Sequence, residues 1–348
     1  METQNLNDIL GRLSEQNFWD QVTPTSSSSD IAQLTNELLG HRDTLLLDET
    51  LDSSMQNMAS FDALIQRFEN LDQRGGSNGN GDYSKMRDDH RNRAVYLVLN
   101  GMKKKLEFYQ SELQVASRIQ QSLLPLDTPQ IPGYDFWGEC KSCNEVGGDF
   151  FHYYKHIGSD WLFLIADVAG KGLPSSLIVS SLQAYVTAEV ENKVPLDVLV
   201  QNLDHFLISN TTPEKFVTLF IAQLNPEIDT LTYVNAGHNP PMLMRADGEV
   251  QSLKTGGPVV GMFDGATRDL GTVQLRSNDT LALYTDGVTE AENPSEQMFG
   301  EMRFLDALQR NHSADLQTMI QSIFDTIQDF TQGYPATDDV TMMLVRKH

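Results

Sequence analysis

The chain is poor in cysteine, in long apolar runs and in positive charge, and each shortage removes a class of function. Cys140 and Cys143 are the only cysteines in 348 residues. Their Cys-Lys-Ser-Cys spacing resembles redox and zinc motifs, but a zinc site needs about two more soft ligands and no second cysteine pair exists. The thiols are therefore read as structural or incidental. No stretch approaches the ~20 apolar residues of a membrane span. The start of the chain also lacks the charged flank and apolar core of a secretory leader. A cytoplasmic protein is expected, with no membrane partner. Lysine and arginine total 25 against 48 aspartates and glutamates, a net charge of -23. A phosphate surface repels such a chain, which argues against nucleic acid or an anionic bilayer as its main partner. Most of the acidity serves solubility, and divalent cations held by several aspartates would cancel part of it.

What is present divides into three parts. Residues 1–93 carry short amphipathic pieces, Ile31, Leu34 and Leu38, then Leu64, Ile65, Phe68 and Leu71. They are broken by Thr23-Pro24-Thr25 with its serine run, and by a Gly/Asn-rich run over 75–81 that reads as a flexible linker. This region is expected to be helical, partly flexible and regulatory. Residues 94–124 contain one glycine and no proline. Met102, Leu106, Tyr109, Leu113, Ala116, Gln120 and Leu123 form a heptad seam that stops at Pro125. The seam fits either a helix lying on its own domain or a dimeric coiled coil.

From residue 125 to 348 the texture changes to short strands, at 134–139, 150–156, 161–166, 216–224, 230–234, 241–244, 249–253, 269–275, 280–284 and 340–345. Helices are predicted over 174–190, 195–209, 300–310 and 314–331. The first offers Leu177, Ile178, Leu182, Tyr185 and Val186 for packing. Strands that return without strict strand-helix alternation favour an α+β layered sandwich over a doubly wound parallel sheet.

Four acidic signatures lie in this part: Gly147-Gly148-Asp149, Asp167-Val168-Ala169-Gly170-Lys171-Gly172, Thr285-Asp286-Gly287 and Asp338-Asp339-Val340-Thr341. Any one aspartate is a common turn former or helix cap. Four of them, each bordering a buried-looking strand, point instead to a shared cluster of hard oxygen ligands. Packed carboxylates repel and take up protons unless cations compensate them, so the cluster predicts Mg²⁺ or Mn²⁺. Two such ions about 4 Å apart suit hydrolysis of a phosphate ester by an activated water.

These signatures, with Ala236-Gly237-His238-Asn239-Pro240-Pro241 and the helix-to-proline entry Ala116-Ser117-Arg118-Ile119-Gln120-Gln121-Ser122-Leu123-Leu124-Pro125, occur in an order that resembles the bacterial PPM-type (protein phosphatase 2C-like) serine/threonine phosphatases of the SpoIIE/RsbU branch. The resemblance covers residues from about Ser117 onward. It implies a four-layer αββα sandwich with two metals at one end. By position, Asp167 would bridge the cations with help from the Val168 carbonyl, Asp286 and Asp338 would complete one metal, and Asp149 would serve the other. Asp339, His238 and Lys171 are candidates around that first set of ligands. His238 is read as structural at least as readily as acidic, and Lys171 as phosphate-attracting or solvated. His152 departs from the family pattern, which often carries an acid there, and removes any extra ligand at that position.

The resemblance implies a metal-dependent protein serine/threonine phosphatase in a partner-switching pathway, acting on a phosphorylated STAS-domain anti-sigma-factor antagonist. A homodimer through the linker helix is one way such a protein is regulated. The alternatives are a phosphoprotein-binding scaffold without turnover and a phosphatase of small molecules.

Overall fold

The central strands Trp161–Val168, Val217–Asn225, Thr280–Tyr284 and Val340–Lys347 alternate their side chains between two different cores, which is why the sequence there shows nearly continuous apolar runs rather than apolar-polar alternation. The computed structural model describes residues 108–125 and 127–348. The expected helices and linker of residues 1–93, and the seam positions Met102 and Leu106, lie outside the described residues.

In chain order the strands are β1 (Tyr134–Lys141), β2 (Asp149–Lys155), β3 (Trp161–Val168), β4 (Val217–Asn225), β5 (Thr230–Ala236), β6 (Met242–Met244), β7 (Val250–Ser252), β8 (Gly256–Gly257), β9 (Gly271–Gln274), β10 (Thr280–Tyr284) and β11 (Val340–Lys347). The helices are α1 (Leu173–Glu191), α2 (Leu196–Asn210), α3 (Asp286–Glu290), α4 (Gly300–Arg310) and α5 (Leu316–Thr331). One sheet runs β1-β11-β10-β6-β7, and the other runs β2-β3-β4-β5-β8 with β9 also paired to β5.

On β3, Phe163 and Ile165 enter the core between the sheets, whereas Leu162, Leu164 and Ala166 enter the core shared with α1 and α2. On β11, Met343 and Val345 face the other sheet, while Met342 and Leu344 meet α4 and α5. The result is four layers, helix-sheet-sheet-helix, as the sequence led us to expect. Helix α5 shows the matching helical period, burying Leu316, Met319, Ile320, Ile323, Phe324 and Ile327. Its start is fixed by Asp315, whose carboxylate accepts the Thr318 N–H at 2.9 Å. No helix among the described residues is long and apolar enough to cross a membrane.

Three details differ from the sequence reading. Asp286 does not sit in a plain strand-end turn but opens the five-residue helix α3. Gly256-Gly257, a pair that falls between the predicted strands 249–253 and 269–275, forms the short parallel strand β8 against Asn235 and Ala236. In α1, Leu182 and Val186 are buried and Ile178 and Tyr185 pack at the edge of the core, but Leu177 is 62% exposed. The buried stripe of α1 is Val179, Leu182, Val186 and Val190, which turns Leu177 to solvent.

The linker helix is described over residues 108–121 and ends in a turn at 122–123. Ala116, Gln120 and Leu123 of the predicted seam are partly buried, whereas Val115 and Ile119 between them are exposed.

Candidate active site

The antiparallel pairing of β2 with β3 sets Asp149 directly opposite Asp167. Beside them, Val168 donates its N–H to the Gly148 carbonyl at 3.1 Å. A Cβ placed on Gly148 would stand 2.9 Å from the Val168 carbonyl oxygen and 3.3 Å from that of Gly170. Glycine there leaves the Val168 carbonyl uncovered.

From the other sheet, the end of β10 and the start of β11 bring Asp286 and Asp338 to the same end of the sandwich. Burial, then the charges of Asp286, Asp338 and Asp339, push the Asp167 carboxyl up to about 7. Asp286 is raised by burial and by Asp338. Asp149 is raised well above the carboxylate range by burial and then by Asp167, with Thr285 pulling the other way. The Thr285 hydroxyl donates to Asp149 at 2.7 Å and accepts the Thr341 N–H at 3.0 Å. Thus a buried threonine ties the Asp149 strand of one sheet to two strands of the other.

Asp338 and Asp339 have different environments. Asp339 is buried and its carboxylate accepts the N–H groups of Cys143 (2.8 Å), Gly148 (2.7 Å) and Asp149 (3.4 Å). It clamps the turn that carries Asp149. Asp338 is more open and meets the Lys171 ammonium at 2.9 Å. Lys171 also donates to the Thr337 carbonyl. Burial opposes the charge on Lys171, but the hydrogen bond and charge of Asp338 hold its pKa above the usual lysine value.

His238 is buried and its Nδ1 lies 2.8 Å from the Thr218 hydroxyl, while its N–H donates to Asn235 Oδ1 at 2.8 Å. Burial pushes the imidazole down to about 4, against a smaller upward pull from the Tyr284 backbone. It is neutral at physiological pH and holds its loop. His152 stacks on Tyr154 with ring centroids 4.3 Å apart. Burial lowers its pKa as well. Of the thiols, burial pushes Cys143 up to about 12 and Cys140 higher still. Both are then poor thiolates, as the structural reading expects.

Two residues to which the sequence reading gave no role at the site touch this end. The Gln120 amide of the linker helix makes two hydrogen bonds to the Gly147 backbone, accepting its N–H at 2.9 Å and donating to its carbonyl at 2.7 Å. Lys215 donates to the Ala169 carbonyl at 2.8 Å. Gln120 was visible as a polar residue in an apolar seam; Lys215 has no local signal.

The donor set suits a hard divalent cation. It consists of carboxylates that raise one another's pKa for want of positive charge, next to a carbonyl that glycine keeps open. No three Asp, Glu, His or Cys side chains among the described residues close round a single point. Mg²⁺ keeps several waters and takes one or two carboxylates, so its site does not require such a closed set. Lys171 supplies the positive charge beside Asp338.

Similarity to known proteins agrees with this arrangement. The stage II sporulation protein E (SpoIIE) family matches residues 158–348, a span that includes Asp167, Asp286 and Asp338 and begins after Asp149. Protein IcfG of Synechocystis sp. is 25% identical over 265 residues, covering 68% of this chain and 42% of its own length. The phosphoserine phosphatase RsbU of Bacillus subtilis is 28% identical over 252 residues, covering 72% of this chain and 73% of its own. Among solved structures, the SiaA-PP2C domain of Pseudomonas aeruginosa superposes with a TM-score of 0.62 at 22% identity, over 70% of this chain and 98% of that one. That last likeness is one of fold. With more than half of its length matched by the family, and the expected sandwich beneath the match, the chain belongs to the SpoIIE family of protein phosphatase 2C-type domains.

Proposed function

We propose that this domain hydrolyses phosphoserine or phosphothreonine in a protein, with two Mg²⁺ or Mn²⁺ ions as cofactors. The observation that carries the reading is the pairing of Asp149 with Asp167 beside Asp286 and Asp338, four acids from distant sequence whose charges act on one another. Asp167, Asp286, Asp338 and the Val168 carbonyl would hold the cations, with Asp149 serving one of them. When bound, such ions supply Lewis acidity toward a phosphoryl oxygen and acidify water. The chain's own groups do the rest. Thr285 and Asp339 fix the Asp149 turn, and Lys171 stands where an incoming phosphate meets positive charge. His238, neutral and buried, orients its loop and is not the imidazolium that would protonate a leaving serine.

The similarity to the phosphoserine phosphatase RsbU supports phosphoserine as the group hydrolysed. We assign a phosphorylated STAS-domain anti-sigma-factor antagonist, whose dephosphorylation would free it to bind a kinase-like anti-sigma factor. The test is an assay of the purified chain on such a phosphoprotein with and without Mn²⁺, repeated for Asp167→Asn and Asp286→Asn. Metal-dependent turnover lost in both variants is expected, and wild-type turnover in both overturns the assignment. Binding of the phosphoprotein without turnover at any metal concentration would establish the scaffold alternative, for which the Lys171–Asp338 ion pair is the supporting observation. Faster turnover of nucleotides or sugar phosphates than of phosphoprotein would establish the small-molecule alternative.

Regulation through the linker helix belongs to the same proposal, with Gln120 acting on the Gly147 turn rather than on Asp167 directly. Exposed Val115 and Ile119 are available to a second copy of the helix. Activity unchanged by removal of residues 1–116 would count against it.

A further inference from the structure

Lys215 lies outside every motif of the chain, in the segment between α2 and β4, yet its side chain turns inward. Its Nζ donates to the Ala169 carbonyl at 2.8 Å and to the Ser175 hydroxyl at 3.4 Å. No ion pair of Lys215 with a carboxylate occurs among the described residues, so it spends its donors on neutral oxygens. Holding a long flexible side chain in one place costs rotamer entropy. The segment 169–172 must therefore gain from the contact.

The gain lies in two consecutive peptide planes. The Ala169 N–H donates to the Phe216 carbonyl at 2.9 Å. Because a trans peptide is planar, that bond also sets the direction of the Val168 carbonyl, which points the opposite way. The next plane ends in the Ala169 carbonyl, which the Lys215 ammonium holds. Residues 215 and 216 thus fix both planes that follow Val168, in a stretch where Gly170 and Gly172 have φ of +97° and +70° and no regular structure stiffens the chain. A second observation agrees. A side chain at Gly170 would collide first with the Lys215 Nζ. Glycine there keeps the ammonium's path to Ala169 open.

The segment that carries Lys215 is itself anchored. Lys215 donates its N–H to the Thr212 carbonyl at 2.9 Å, and Val217 and Val260 exchange two backbone hydrogen bonds of 2.9 and 3.0 Å. Beneath this, Asp204 accepts the Gly261 N–H at 2.8 Å and meets the buried Arg268 guanidinium at 3.2 Å. The ammonium therefore stands on a rigid base.

We infer that Lys215 is a positioning residue for the cation site, holding the peptide that follows Ala169 and with it the neighbouring Val168 carbonyl in the orientation that receives a divalent metal. This rests on the metal-dependent reading proposed above. The test is calorimetric titration of metal-free protein with Mn²⁺, without substrate, for wild type, Lys215→Met and Lys215→Arg. The loss of a charged hydrogen bond in Lys215→Met should weaken Mn²⁺ binding roughly tenfold. Lys215→Arg, which keeps a donor, should stay within about threefold of wild type. In turnover of a phosphoprotein, Lys215→Met should need more Mn²⁺ for half activation but recover its kcat at saturating Mn²⁺, with KM unchanged. Wild-type Mn²⁺ affinity in Lys215→Met overturns the inference. So does a raised KM at saturating Mn²⁺ with unchanged metal affinity, which would place Lys215 on the substrate instead. If Lys215→Met is unfolded by circular dichroism, Lys215→Gln is read by the same criteria. A wild type that binds no Mn²⁺ overturns the metal reading and this inference together.

Discussion

Buried acids occur in two kinds of place in this molecule, and their partners differ. Away from the acidic end, Asp279 meets Arg245 at 2.6 Å and Asp204 meets Arg268 at 3.2 Å, each pair almost wholly out of solvent. The guanidinium matches the charge, and its remaining N–H groups go to backbone carbonyls. At the acidic end, Asp149 and Asp339 are equally buried but are given only neutral donors, Thr285 and backbone N–H groups. Burying a charge without a counter-charge is expensive, and a fold that supplies arginines in one place could have supplied them in the other. The difference separates acids matched by a counter-charge within the fold from acids left without one beside the proposed cation site.

The largest effect that would break this comparison comes from the uncompensated side. Asp167→Asn should lower Mn²⁺-dependent turnover by about 10²–10³-fold, a size usual for deleting one group that stabilises transition-state charge. The metal-free protein should be no less stable, because one repelling carboxylate is gone. Steady-state kinetics and thermal unfolding in chelator read the two halves. On the compensated side, Arg245→Met leaves Asp279 buried without its partner and should cost about 3–5 kcal/mol in chemical denaturation. Activity per folded molecule should be kept. If Arg245→Met cost activity and Asp167→Asn cost stability, the division would be wrong.

A pH titration sharpens the same contrast. The Asp167 carboxyl is raised to about 7 in the folded chain, above its unfolded value near 4. Its contribution to stability is therefore fully present below pH ~4 and is lost as pH rises through about 7. The melting temperature of chelator-treated wild type should fall across that window. Asp167→Asn should lack this component of the slope, and saturating Mn²⁺ should remove it from wild type. The smallest effect concerns the linker. Gln120→Leu removes two neutral hydrogen bonds to Gly147 and should cost about 1–3 kcal/mol of stability, read by denaturation of a chain beginning at residue 108. Turnover by the same variant tests whether the contact also controls the Asp149 turn.

Much of the fold was legible because its signals are local. The run 161–166 ending at Asp167, the period of α5 and the acids before β11 each read correctly without knowledge of their partners. The layering was legible for a related reason: strands covered on both faces must be apolar throughout, and β3, β10 and β11 are. What stayed hidden depends on distant pairing. The Asp339 carboxylate meets Gly148 across 191 residues, and Lys215 meets Ala169 across 46. Lys215 carries no motif of its own, and the motif that holds Asp339 does not say which group it meets. Leu177 misled for a simpler reason, since an apolar residue at an approximate helical spacing lies on the buried stripe only if the stripe's phase is known. The family match spans Asp167, Asp286 and Asp338 without giving any of them a role, and it begins after Asp149.

Strand β11 occupies the middle of its sheet, between β1 and β10, although it follows both of them in sequence. The two strands beside it cannot reach each other across the gap, and the amide of Gly148 has no acceptor until Asp339 arrives at the entrance to β11. A chain cut at residue 337 would lack both the strand that joins β1 to β10 and the acids at its entrance. Such a truncation should therefore be silent rather than partly active.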